Sequence, residues 1–294
     1  VPKHRWLVAL GACVSVLWMG NSPVRSQAVL PLRRDFDQAQ MEQQGLMLIE
    51  DAIQLSRFQQ YEWAIPRAKL ATQLVPERFE AWYILGTLLV QERELDAGIQ
   101  ALTTAKRLNP RESGVHSILG SAYFQQEDYE GALRSLKTAT QLGDNSIETL
   151  FDLGNTQYKL KQYDAAIATY NQAVALDATF WPGINNIGLI QYEQGKVDAA
   201  INSWQKAITL DPTAAEPQLA VAVATYAKGD RAKGLELTRT ALDLDGRYGE
   251  IDFLVENLWG EKLLQATQTV FDTPTVQAFF TELDRRAFQP EMEP

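Results

Sequence analysis

One 34-residue pattern is repeated six times between Gly45 and Tyr248 without insertion or deletion, and no other feature of the chain constrains its fold as strongly. The copies run 45–78, 79–112, 113–146, 147–180, 181–214 and 215–248. Position 8 of the pattern reads Ala52, Gly86, Gly120, Gly154, Gly188 and Ala222, and position 20 reads Ala64, Gly98, Ala132, Ala166, Ala200 and Gly234. Position 27 is alanine throughout, from Ala71 to Ala241, and position 30 is leucine throughout, from Leu74 to Leu244. Two helix axes approach closely only where Gly or Ala sits at the crossing, with larger neighbours filling the holes on either side. The three small columns therefore mark helix contacts that recur in every copy.

Apolar residues at position 7 (Leu85, Leu119, Leu153, Ile187, Val221) recur at helical spacing with those at positions 21 and 30, and are read as the layer between units. Proline at position 32 (Pro76, Pro110, Pro212), replaced elsewhere by Asp144, Ala178 or Gly246, ends the second half of each copy. In the second copy Trp82, Leu85, Gly86, Leu89, Gly98, Leu102, Ala105 and Pro110 stand at the spacings of the tetratricopeptide signature, with Leu89 in the usual tyrosine place and Leu102 in the usual phenylalanine place. Over residues 45–248 the chain resembles the tetratricopeptide repeat family. The resemblance implies an all-α, right-handed solenoid of six helical hairpins, with one helix over about positions 1–14 and the other over about positions 15–30 of each copy. The sixth copy departs most, with Gln218 in the tryptophan place and Thr238 in the aromatic place.

The flanks carry different information. Lys3, His4 and Arg5 precede an apolar run from Trp6 to Met19, and Ser26-Gln27-Ala28 supplies small residues where a signal peptidase reads. Residues 1–28 are thus expected to be a secretory signal or, if uncleaved, an N-terminal membrane anchor through residues 6–19. A first residue of Val fits either an alternative bacterial start codon or an incomplete N-terminus. Leu10-Gly11-Ala12-Cys13 resembles a lipoprotein cleavage box, but the apolar run continues past Cys13 where such a box would close it. Residues 29–44 form a connector whose helix formers, Gln38 to Gln43, extend the first repeat helix ahead of Gly45. Beyond the repeats, residues 249–294 are read as capping helices and tail. Ile251, Leu254, Val255, Leu258 and Trp259 begin one apolar stripe ending near Val270; Thr273, Pro274, Val276, Phe279, Phe280 and Leu283 signal a further helix that docks on the array.

A catalytic constellation is not found. The chain contains two histidines and one cysteine; outside residues 1–28 only His116 remains, at the repeat position where tryptophan is usual, and its reading is packing. Asp243, Asp245 and Glu250 lack the twelve-residue calcium-ligand pattern, and the glycines fall on a helical lattice, not in a phosphate-cradling turn. Neither metal nor cofactor is expected, and the chain is read as non-enzymatic. The net charge is −10, or −13 without the first 28 residues, which hold three basic and no acidic side chains. Such a surface repels phosphate backbones, so nucleic acid is not an expected partner.

What remains is a binding groove. The family resemblance implies that the first helix of each hairpin lines a concave face, with positions 2, 5, 9, 12 and 13 pointing into it. Position 12 supplies Phe124, Tyr158, Tyr192 and Tyr226; position 9 adds Ser121 and Asn155, and position 5 adds Phe151 and Asn185. The ladder is read either as a groove for an extended peptide or protein segment or as family consensus packing. The Lys, Arg and Asn clamp of chaperone-tail-binding members is replaced here by residues such as Ile49, Ile53, Tyr83, Thr87 and Ser117. The expectation is an exported interaction scaffold of the periplasm or thylakoid lumen that assists assembly of a membrane complex, with a likeness to photosystem-assembly repeat proteins. The alternatives are a cell-envelope adaptor serving outer-membrane or peptidoglycan machinery, and a self-associating spacer.

Overall fold

A computed structural model of the chain describes residues 37–288, so the expected signal, with Cys13, lies outside the described residues. The described residues form fifteen α-helices and one short 3-10 turn. The first helix, α1 (Gln38–Arg57), begins ahead of Gly45 and pairs with α2 (Tyr61–Leu74). Five further hairpins follow in order: α3 (Phe79–Gln91) with α4 (Leu95–Leu108), α5 (Ser113–Gln125) with α6 (Tyr129–Gln141), α7 (Ile147–Lys159) with α8 (Tyr163–Leu176), α9 (Trp181–Glu193) with α10 (Val197–Leu210), and α11 (Ala215–Ala227) with α12 (Arg231–Leu244). Each second helix also packs on the first helix of the next hairpin, which makes the array a continuous solenoid.

Inside the four central hairpins the glycine at position 8 is the floor beneath the side chain at position 24. A Cβ added to Gly86 would lie 2.5 Å from Leu102, and at Gly120 it would lie 2.4 Å from Leu136. At Gly154 it would meet the Tyr170 ring at 2.5 Å, and at Gly188 the Trp204 ring at 2.4 Å. The end copies, with alanine at position 8, carry the smaller Ala68 and Thr238 opposite it. Size at one position is thus compensated at the other, as close packing requires.

The turn inside each hairpin adopts one backbone conformation six times. Gln59, Arg93, Glu127, Lys161, Gly195 and Gly229, all at position 15, have positive φ. Only glycine adopts this left-handed region without steric cost, so the four side-chain-bearing residues are strained by roughly 1–2 kcal/mol each. Lys161, exposed and at φ 58°, is the suitable site to relieve it. Lys161→Gly is expected to raise stability by about 0.5–1 kcal/mol, less than the strain it relieves because the glycine has more unfolded-state freedom to lose. Urea denaturation checks this, with Gly195→Ala expected to lower stability by a similar amount.

Position 4 is tied to the preceding turn. Trp82 Nε1 donates to the Pro76 carbonyl (2.8 Å), His116 Nε2 to the Pro110 carbonyl (2.9 Å), and Gln218 Nε2 to the Pro212 carbonyl (2.7 Å). Tryptophan, histidine and glutamine are equivalents here because each brings one N–H to the carbonyl left open by proline. His116 is buried at this joint. Asp245 holds Arg247 through both carboxylate oxygens, the shortest contact being 2.6 Å.

The C-terminal stripe is two helices, α13 (Ile251–Glu256) and α14 (Glu261–Phe271), broken at Leu258, whose φ of 66° turns the chain before Gly260. The 3-10 turn Gly246–Gly249 and α15 (Pro274–Phe288) pack against α12, as the terminal cap of a solenoid requires. Helix α14 does something else. It packs on α9 and α11, on the first-helix face of the last two hairpins. Its Leu263, Val270 and Phe271 join Leu254, Trp259, Val276 and Phe279 in the same core cluster as Trp204, Leu219 and Val223.

Candidate functional site

Successive first helices are joined by polar side chains rather than by apolar contact alone. From α5 to α7, Ser117 Oγ meets Thr149 Oγ1 at 2.7 Å, and the Ser121 hydroxyl donates to Asp152. Between α7 and α9, Asn186 Nδ2 donates to Asn155 Oδ1 (3.0 Å), which also accepts from the Tyr170 hydroxyl (2.7 Å). Asn185 Nδ2 donates to Asn186 Oδ1 (3.2 Å) and lies against Glu216 on α11, whose Oε1 accepts from Trp259 Nε1 at 3.1 Å. A polar seam therefore runs along the first helices through the third to sixth repeats and ends on the C-terminal segment.

The eight residues expected to line a groove divide into two groups. Asn155 (9% exposed), Tyr158 (6%), Asn185 (0%) and Tyr192 (7%) are buried and do not offer a free binding surface. Ser121, Phe124, Phe151 and Tyr226 are half-buried. The position 12 aromatics turn toward the second helix of their own hairpin: Phe124 meets Tyr129 edge-on at 5.4 Å, Tyr158 meets Tyr163 at 6.0 Å, and Tyr192 meets Trp204 at 5.9 Å. Arg231, opening α12, lies over the Tyr226 ring at 5.8 Å. Packing within the hairpin thus accounts for most of this ladder. Phe151 is held edge-on to Phe180 at 5.3 Å. On the same face Gln125, at position 13, is exposed beside Phe124 and Ser121.

Two acidic residues that sequence reasoning passed over organise the C-terminal end of this face. Glu193, at position 13 of the fifth repeat, caps α14 from outside: Oε1 accepts from the Leu263 amide (3.1 Å) and Oε2 from the Lys262 amide (3.3 Å). A carboxylate at these open amides satisfies them and opposes the helix dipole. Lys262 Nζ returns a hydrogen bond to the Glu193 carbonyl at 2.6 Å. Glu216, at position 2 of the sixth repeat, is 7% exposed, and no ion pair among the described residues includes it. Burial pushes its carboxyl up to about 7, against the smaller opposing effects of the hydrogen bonds from Asn185 and Trp259. Neither position carries a sequence cue, because an acid at the start or end of a helix is ordinarily a solvated cap.

The rise at Glu216 sets a pH dependence. A carboxyl with a folded-state pKa above its unfolded value binds protons more tightly when folded, so its stabilisation is complete below the unfolded value and is lost as pH rises. The window runs from 4.5 to about 7, and a rise of that size is worth roughly 3 kcal/mol. Stability is expected to fall by this order between pH 5 and pH 8, and the fall should be largely absent in Glu216→Gln. Urea denaturation across that range checks it.

Among the described residues, no group of three or more His, Cys, Asp or Glu is placed to hold a metal ion, and no helix is long and apolar enough to cross a membrane.

Family-model matches from comparison with known proteins fall within residues 45–248. Models described as tetratricopeptide repeat match residues 51–113 and 111–179, and one described as TPR repeat matches residues 188–229. No curated protein matches. Solved structures share the fold at low identity. YrrB, titled a TPR protein with an unusual peptide-binding site, is 20% identical, with a TM-score of 0.52 over 69% of this chain and 97% of its own. Pseudomonas aeruginosa pilF is 16% identical, with a TM-score of 0.57 over 82% of this chain and 99% of its own. MamA is 23% identical, with a TM-score of 0.51 over 56% of this chain and 96% of its own. With six hairpins in register, glycine floors at position 8 and family models falling within the repeats, the chain belongs to the tetratricopeptide repeat family, whose members mediate protein–protein interactions.

Proposed function

We propose that this chain is an exported interaction scaffold that binds a peptide or protein segment on its first-helix face, centred on α5 and α7, and assists assembly or maintenance of a membrane complex. The observation that carries the reading is the division of that face. Over α9 and α11 it is covered by α14, whereas on α5 and α7 the half-buried Ser121, Phe124 and Phe151, with exposed Gln125, combine rings and hydrogen-bonding groups. Such a surface suits an extended segment, with rings for side-chain contact and hydroxyl or amide groups for its main chain. The binding centre therefore lies further toward the N-terminus than the aromatic ladder alone implies. Tyr158 and Tyr192 belong to the packing, and their alanine variants report on stability.

The signal-like order of residues 1–28 supports an exported location, in the periplasm or thylakoid lumen, with attachment through residues 6–19 if they are retained. Photosystem assembly is the specific role we favour. Site-specific photocross-linking from Gln125 tests the binding face, and the identity of the cross-linked protein tests the role. Pigment-protein subunits support photosystem assembly, while outer-membrane or peptidoglycan proteins support the envelope adaptor.

A further inference from the structure

We propose that Glu216 is a proton-operated latch: protonated, it holds the corner Leu258–Gly260 over the first-helix face of the last two repeats; ionised, it releases that corner and exposes Tyr158 and Asn185 to a bound segment. The inference deepens the groove reading and rests on it for the last clause only.

The surroundings of Glu216 are built for the neutral acid. The groups facing it are Asn185 from α9, Tyr158 from α7, Tyr170 from α8, Tyr248 from the 3-10 turn, and the Trp259 indole. None is basic. Glu193, the nearest further acid on α9, faces Tyr158 and adds negative charge. An ionised carboxylate here would have only neutral donors and would be desolvated without a counter-charge. The protonated acid, by contrast, has an acceptor waiting. Asn185, fully buried beside Glu216 and donating its amide to Asn186 Oδ1, has a side-chain oxygen with no partner of its own.

The corner above it is suited to local opening. Leu258 sits in the left-handed region, and a cavity of about 190 Å³ lies between the corner and the hairpin of the fourth repeat, where Tyr158 and Tyr163 meet Leu258 and Trp259 and where Lys159, Lys161, Glu193 and Glu261 place charge around the corner but do not pair with Glu216. The Tyr158 hydroxyl is buried without a partner. The Tyr158 hydroxyl thus lies beside a segment that covers it without satisfying it, and the Asn185 side-chain oxygen is left unpaired beside Glu216, each of which is costly for a buried surface. Lifting the corner admits water to the carboxylate and frees both atoms to pair with the main chain of a bound segment. Helices α14 and α15 stay docked, because Leu263, Val270, Phe271, Val276 and Phe279 remain in the core.

The indole N–H resonance of Trp259 reads the latch directly in the full chain, without any partner. Its assignment follows from the signal lost in Trp259→Phe. In the wild-type chain this resonance should titrate with a midpoint near pH 7, and its exchange with solvent should accelerate at least tenfold above the midpoint after correction for base catalysis. In Glu216→Gln, where an amide keeps the hydrogen bond but carries no charge, both changes should vanish and the N–H should stay protected. A wild-type resonance that neither shifts nor gains exchange between pH 5.5 and 8.5 overturns the proposal, as does an equal titration in Glu216→Gln. Because no partner is present, either failure leaves the groove reading untouched; failed cross-linking at Gln125 would sink the groove reading and leave the latch standing.

Discussion

Trp204→Ala is expected to lower stability by about 3–5 kcal/mol, the cost of a large cavity in a closed core. The indole is fully buried, lies directly on Gly188, donates from Nε1 to the Asn185 carbonyl at 3.2 Å, and meets the Tyr192 ring at 5.9 Å. No neighbour is free to collapse into the space, since both helices of the hairpin are pinned by adjoining repeats. The companion variant makes the argument specific. Gly188→Ala brings a methyl within 2.4 Å of the same indole and should cost roughly 1–3 kcal/mol despite alanine's better helix propensity. Combined with Trp204→Thr, which reproduces the pairing of Ala222 with Thr238 in the sixth copy, Gly188→Ala should cost less than it does alone. Equilibrium urea unfolding of the single and double variants checks the coupling, and strict additivity would contradict the floor-and-side-chain account.

Ending the chain at Gly249 is expected to lower the melting temperature by roughly 10 °C and to strip hydrogen-exchange protection from α11. The truncation removes Leu254, Trp259, Leu263, Val270, Phe271, Val276 and Phe279 from the cluster that contains Leu219 and Val223. Burial of each such large apolar side chain contributes about 1.5–3 kcal/mol, and the chain freedom regained on losing α13 to α15 offsets part of the loss. Because a solenoid passes stability between neighbours, the sixth repeat should loosen first while α3 to α6 keep their protection. Calorimetry and hydrogen exchange by mass spectrometry check it. An unchanged melting temperature would mean that the C-terminal helices ride on the array without supporting it.

The scaffold was readable because its constraints recur. Gly86, Gly120, Gly154 and Gly188 mark the same close approach four times, and their partners Leu102, Leu136, Tyr170 and Trp204 stand at one fixed spacing. The turn at position 15 was less readable, because Gln59, Arg93, Glu127 and Lys161 occupy a glycine-favouring conformation with side chains that do not announce it. The site was readable only in part. A tyrosine at position 12 lies near the end of its helix, where it can meet either the open face or the second helix of its hairpin; Tyr158 and Tyr192 take the second course. The break between α13 and α14 had one signal, Gly260, inside an otherwise continuous apolar stripe. Burial of Glu216 had none, since it arises when Trp259, 43 residues later, returns to cover it.

A partner segment is expected on the first-helix face over α5 and α7. A photoreactive phenylalanine analogue at Gln125, exposed on α5, compared with one at Gln141, exposed at the end of α6, tests it in native membranes. One discrete cross-linked protein is expected from position 125, suppressed by excess unlabelled chain and reduced at least fivefold by Phe151→Ala, with none from position 141. Equal labelling from both positions, or none from position 125, would contradict it.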